Sequence, residues 1–158
     1  MFRISQYMEE IAHPTPLGEK RNPPGPVVIW NLIRRCNLTC KHCYSISADK
    51  DFPGELSTAE IYGVMDDLKR FHVPVLILSG GEPLLRPDLF DIAQRAKGLG
   101  FYVGLSSNGT LIDAAMLPAV ADVGFDYVGI SIDGIEATHD RFRRKDGAFA
   151  ASLRGVRL

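Results

Sequence analysis

Four short apolar runs constrain this chain more than any other feature. They occupy residues 26–33, 73–78, 101–105 and 125–130. Each is rich in β-branched, aromatic or aliphatic residues and bounded by Gly, Pro, Asn or Ser, as strands are. Between them the apolar period changes. Ile61, Val64, Met65, Leu68 and Phe71 recur at helical spacing behind Ser57-x-x-Glu60, which has the form of a capping box. Pro87 suits the first turn of a second helix running to about Lys97, and Gly98 and Gly100 mark its stop. A third helical stretch covers 111–123, interrupted near Pro118, and a fourth opens at Ala148. Strands alternating with helices call for a parallel sheet with crossover helices. The predicted class is α/β, an incomplete parallel (β/α) barrel of four βα units whose first strand is buried on both faces.

Residues 1–12 are expected to form an amphipathic helix. His13 to Pro26, with five prolines and two glycines, reads as an irregular arm. The expected division is an N-terminal arm at 1–26 and one core domain at 27–158. The chain ends inside the fourth helix, so a fragment or a truncated form is expected, with an unpaired apolar sheet edge.

A polar or glycine-rich segment follows every strand. The first is Cys36-Asn37-Leu38-Thr39-Cys40-Lys41-His42-Cys43, and the second is Ser79-Gly80-Gly81-Glu82-Pro83. Ser106-Ser107-Asn108-Gly109 and Ser131-Ile132-Asp133-Gly134 are the third and fourth. In a parallel sheet all four gather at the carboxyl end of the strands, where ligands bind.

The first segment holds all three cysteines of the chain within eight residues. An odd count without a secretory leader argues against a disulfide framework. Three thiolates suit an iron–sulfur cluster, and they leave one iron of a four-iron cluster without a protein ligand. A zinc site would need a fourth ligand, for which His42, His72 or His13 is available. Inert buried thiols are the third option, against which Asn37, Lys41 and His42 stand as polar neighbours. The net charge of −1 implies no nucleic-acid partner. No apolar run is long enough to span a membrane, and reduced thiols without an export signal point to the cytoplasm.

Taken together, the C-x3-C-x2-C loop, the Gly80-Gly81-Glu82-Pro83 turn, Ser106-Ser107-Asn108-Gly109 and Ser131-Ile132-Asp133 resemble the radical S-adenosylmethionine superfamily over about residues 27–143. The resemblance implies that Cys36, Cys40 and Cys43 hold a [4Fe–4S] cluster, with S-adenosylmethionine on the fourth iron. It implies cleavage of that cofactor to a 5′-deoxyadenosyl radical. It places His42 against the adenine, and Gly80, Gly81 and Glu82 at the methionine amino group. Ser131 is placed at the ribose or carboxylate, and Ser107 and Asn108 on the cavity wall. Arg143 matches a recurrent arginine of one subgroup. Read without the resemblance, His42 could be a solvent-facing loop residue, Asn108-Gly109 a plain turn and the basic run near Arg143 a solvated helix end.

The wording around the cysteines, and Asp51 to Ile61, is similar to the tetrapyrrole branch that serves haem d1 biosynthesis. That implies removal of propionate side chains from a decarboxylated sirohaem, with an electron donor such as a flavodoxin or ferredoxin. Arg34, Arg35, Lys41, Arg86 and Arg143 are the cations expected to face such a polyanion. A peptide or GTP would be the substrate in other branches, and a cluster- or zinc-binding fragment without activity is the remaining alternative.

Overall fold

The computed structural model describes residues 8, 11–13 and 25–158. Of the helix expected over 1–12, Met8, Ile11 and Ala12 are helical; the rest of it, and most of the arm, lies outside the described residues.

Four strands form one parallel sheet in the order β1-β2-β3-β4: Val27–Asn31, Val75–Ser79, Tyr102–Ser107 and Tyr127–Ile130. Val28, Leu76 and Val103 share one rung, and Ile29, Ile77, Gly104 and Tyr127 share the next. Helices α1 (Thr58–Arg70), α2 (Leu89–Gly98) and α3 (Leu117–Val123) occupy the crossovers. Alternate side chains of β2 and β3 (Leu76, Leu78, Val103, Leu105) are buried against Ile61, Met65, Leu89, Ile92, Ala93 and Ala96. This is the period-two face of each strand meeting the period-3.6 stripe of each helix.

The capping box is complete. The Glu60 N–H reaches the Ser57 hydroxyl at 3.4 Å, and the Ser57 N–H reaches the Glu60 carboxylate at 2.8 Å. It fixes the start of α1, so that Ile61 and Met65 fall on the sheet.

The structure corrects the sequence reading in several places. β1 is not buried on both faces: Val27 is 54 % exposed and Ile29 64 % exposed. It is an outer strand of the described sheet, and the helical core reaches only its other side, where Val28 and Trp30 pack. β3 continues two residues past its expected end, because Ser106 and Ser107 pair with Gly129 and Ile130. Helix α3 starts only at Leu117, with Pro118 in its first turn, where a missing N–H costs nothing. A 3-10 turn at Pro83–Leu85 precedes α2. A further helix, α4 (Ala137–Arg143), stands before α5 (Ala148–Arg157). No helix among the described residues is long and apolar enough to cross a membrane.

Candidate functional site

The carboxyl ends of the strands enclose a cavity of about 350 Å³. All three cysteine side chains line it, together with His42, Gly80, Gly81, Ser107, Asn108, Ser131 and Arg143. Ten of the eleven residues singled out in the sequence therefore meet at one place, from the four segments that follow the strands and from α4. The eleventh, Glu82, does not line it.

The cysteine loop and the Gly-Gly turn are joined through backbone. Gly81 N–H donates to the Ile33 carbonyl at 2.6 Å, and Glu82 N–H to the Arg35 carbonyl at 2.9 Å. A Cβ on Gly80 would lie 2.4 Å from the Ile33 oxygen, and one on Gly81 would lie 2.4 Å from the Arg35 oxygen. Only glycine permits that approach at both positions.

Each sulfur has polar company. Leu38 N–H points at Cys36 Sγ from 3.4 Å, and Asn108 Nδ2 lies 3.9 Å from it. Burial pushes the Cys36 thiol above its ordinary range. Cys40 Sγ is 3.5 Å from Arg143 Nη1. The Ser45 and Ser47 hydroxyls are 3.3 and 3.7 Å from Cys43 Sγ. Burial alone would raise the Cys43 thiol, but hydrogen bonds from the side chains and the backbone of Ser45 and Ser47 outweigh it and bring it down to about 7. A thiol that ionises near neutrality is ready to ligate. No three His, Cys, Asp or Glu side chains among the described residues are arranged to hold a single metal ion. A four-iron cluster makes a different demand, since each cysteine binds its own iron.

Glu82 is fully buried behind the cavity wall. Its carboxylate accepts from the Ser107 hydroxyl and the Asn108 N–H, both at 2.8 Å, and from Leu84 N–H at 3.1 Å. Burial raises its pKa, and those three bonds oppose the rise. The carboxylate ties the turn after β2 to the end of β3, so Ser107 and Asn108 are held from behind. The Asn108 carbonyl also accepts from the buried Ser152 hydroxyl at 2.7 Å, which docks α5. Asn108 Nδ2 donates to Asn37 Oδ1 at 2.9 Å, closing a link back to the cysteine loop.

Arg143, on α4, is buried to 7 % exposure. Its Nε lies 2.6 Å from Asp133 Oδ2, and Nη2 donates to the Ser131 carbonyl at 3.1 Å. Asp133 also sits 3.7 Å from His42 Nε2. Its own N–H donates to Nδ1 of the buried His139 at 3.2 Å. Burial lowers the His139 pKa, which keeps that nitrogen free to accept. Asp133 lines the same cavity, although sequence reasoning assigned it no role beyond its place in the fourth segment; the signal was a guanidinium destined for burial, which requires a carboxylate nearby.

The cations expected to face a polyanion are mostly engaged elsewhere. Arg86 is buried, with Nη1 on the Leu32 carbonyl at 3.0 Å, Nη2 on Leu56 O at 2.9 Å and Nε 2.7 Å from Asp88. Arg35 pairs with Asp49 and Asp51, and Arg34 stacks over Phe52 at 4.3 Å. Lys41 is exposed.

Residues 30–158 match the family described as the radical SAM superfamily. The chain belongs to that superfamily. Its members are enzymes that use a [4Fe–4S] cluster and S-adenosylmethionine, and three cysteines on one cavity with polar groups beside each sulfur fit that pair. Among relatives of this radical SAM chain, a pre-heme d1 synthase of Dinoroseobacter shibae is 58% identical over 157 residues, 99% of this chain and 39% of the relative. An Fe-coproporphyrin III synthase of Methanosarcina barkeri is 50% identical over 131 residues, 83% of this chain and 33% of the relative. The chain thus spans less than half the length of these relatives. A solved structure described as native anSMEcpe with bound AdoMet shares the fold at a TM-score of 0.65 and 23% identity, covering 83% of this chain and 39% of the other.

Proposed function

We propose that this chain is the cofactor-cleaving core of a radical enzyme that removes propionate side chains from a tetrapyrrole on the way to haem d1. The observation that carries the substrate is the 58% identity to a pre-heme d1 synthase across nearly the whole chain. The similarity to an Fe-coproporphyrin III synthase supports the same substrate class.

In this reading residues 27–158 act as one catalytic core. Cys36, Cys40 and Cys43 hold the cluster. Gly80 and Gly81 offer bare backbone to the methionine end of S-adenosylmethionine, and Ser107, Asn108 and Ser131 its polar wall. His42, steadied by Asp133, lies along the adenine. Arg143 holds Ser131 and Asp133 in place and donates to Cys40. Glu82 acts from behind, by fixing Ser107 and Asn108. When bound, the pair would supply a 5′-deoxyadenosyl radical for taking a hydrogen atom from the substrate, one electron from the reduced cluster being consumed in breaking the sulfur–C5′ bond with release of methionine. The protein's part is to position that pair and to exclude water. A cytoplasmic flavodoxin or ferredoxin would deliver the electron.

The test incubates the protein with S-adenosylmethionine, dithionite and didecarboxysirohaem, and follows product mass without oxygen. Mass loss matching propionate removal supports the proposal. An unchanged tetrapyrrole beside turnover of a peptide or of GTP overturns it.

A further inference from the structure

Tyr127 stands on the face of the sheet that the helices leave open. Its rung is Ile29, Ile77, Gly104 and Tyr127, one layer below the polar rung of Asn31, Ser79, Ser106 and Gly129. Ile29, Ser79 and Ser106 line the cavity, so this rung is continuous with the cavity floor.

Two glycines make room for the ring. A Cβ on Gly104, its cross-strand partner, would meet Tyr127 Cδ1 at 3.3 Å. A Cβ on Gly129 would meet Cε1, Cζ and the hydroxyl oxygen at 2.6–2.9 Å. The ring therefore runs up β4 over Gly129, toward the Ser106 rung, on bare backbone. Side chains at either position would lift it off the sheet. Tyr127 remains 43 % exposed, and its hydroxyl makes no hydrogen bond among the described residues. An aromatic ring laid on glycine, open on its outer side and in one row with Ile77 and Ile29 across Gly104, presents what a flat conjugated molecule needs. Such rings stack in offset contact, and the aliphatic neighbours extend the apolar surface.

We infer that Tyr127, on its Gly104 and Gly129 bed beside the cysteine cavity, is a stacking platform for the tetrapyrrole macrocycle. This rests on the tetrapyrrole reading above and adds the surface that holds the ring system. The apolar rung would take the macrocycle, and the polar rung above it would leave the side chains facing the cavity.

The experiment titrates didecarboxysirohaem into the anaerobic protein and reads the shift in its visible absorption. Tyr127→Leu, which keeps apolar bulk and loses the ring, should weaken binding by about tenfold, the upper end for an aromatic pair. Tyr127→Phe should stay within about twofold, since stacking needs the ring and not the hydroxyl. Iron content and the effect of S-adenosylmethionine on the cluster's paramagnetic signal should be unchanged in both variants, which also shows that they fold. If wild type binds and Tyr127→Leu binds equally well, the platform is refuted while the substrate class stands. Equal weakening in Phe and Leu would refute stacking in favour of a hydroxyl contact. If wild type does not bind the tetrapyrrole, the substrate reading itself falls, and the platform with it.

Discussion

The same chemical change, glycine to alanine, should have opposite effects at two positions of this chain. At Gly81 an added methyl would lie 2.4 and 2.5 Å from the carbonyl oxygens of Arg35 and Arg34 and 2.8 Å from the Arg35 carbonyl carbon. Ordinary contact begins near 3.4 Å, so the turn and the cysteine loop must separate by about 1 Å. That motion stretches the Gly81–Ile33 and Glu82–Arg35 hydrogen bonds. Overpacking of this kind costs about 1–3 kcal/mol, and backbone, unlike a side-chain tip, cannot swing away. For a chain of this size about 2–4 °C of melting temperature accompanies each kcal/mol, so Gly81→Ala should melt about 5 °C lower. Gly63 sits exposed inside α1 with nothing within 4 Å of an added Cβ. There alanine relieves the helical entropy penalty and should stabilise by about 0.5–1 kcal/mol. The assay is thermal unfolding of both variants, followed by circular dichroism in one buffer. A Gly81→Ala chain as stable as wild type would refute the packing argument, as would equal losses at both positions.

Other outcomes follow from the buried groups. Glu82 carries a pKa raised above 4.5, chiefly by burial. A carboxyl that holds its proton more tightly when folded contributes stability below its unfolded pKa and loses it as pH rises through the folded one. Glu82→Gln removes that loss, so urea midpoints should move in favour of the variant, relative to wild type, between pH 4.5 and neutrality; a constant difference would contradict this. In the metal-free chain, Cys43 should be alkylated by iodoacetamide with a half-maximal rate near pH 7, while Cys36 reacts more slowly throughout. Ser47→Ala should move the Cys43 midpoint upward, and a wild-type midpoint near 9, the ordinary value, would contradict the hydrogen-bonding account.

Much of this was legible in the sequence because its signals are local. The capping box at Ser57 and Glu60 spans four residues, and both of its bonds form. Strand runs bounded by Gly, Pro and Ser located all four strands, and the parallel topology then brought four distant segments to one edge. The misses share a physical origin in long-range partners. Glu82 was placed at the methionine amino group only by the resemblance; its partners, Ser107 and Asn108, lie 25 and 26 residues away. Arg86 reads as a surface cation, yet it bonds carbonyls 54 and 30 residues distant. Helix α4 has seven residues and no side-chain cap, too short for an apolar period to register. The open face of β1 was hidden because Val27 to Ile29 is apolar throughout, whichever side the helices cover.

The central claim is that Cys36, Cys40 and Cys43 hold a four-iron cluster with one iron left for S-adenosylmethionine. It is tested most directly by reconstituting the chain anaerobically, reducing it, and recording its electron paramagnetic resonance with and without S-adenosylmethionine. About four irons and four sulfides per chain are expected, with a signal that changes when S-adenosylmethionine is added. One tightly bound zinc without sulfide, or a cluster signal indifferent to S-adenosylmethionine, would contradict it.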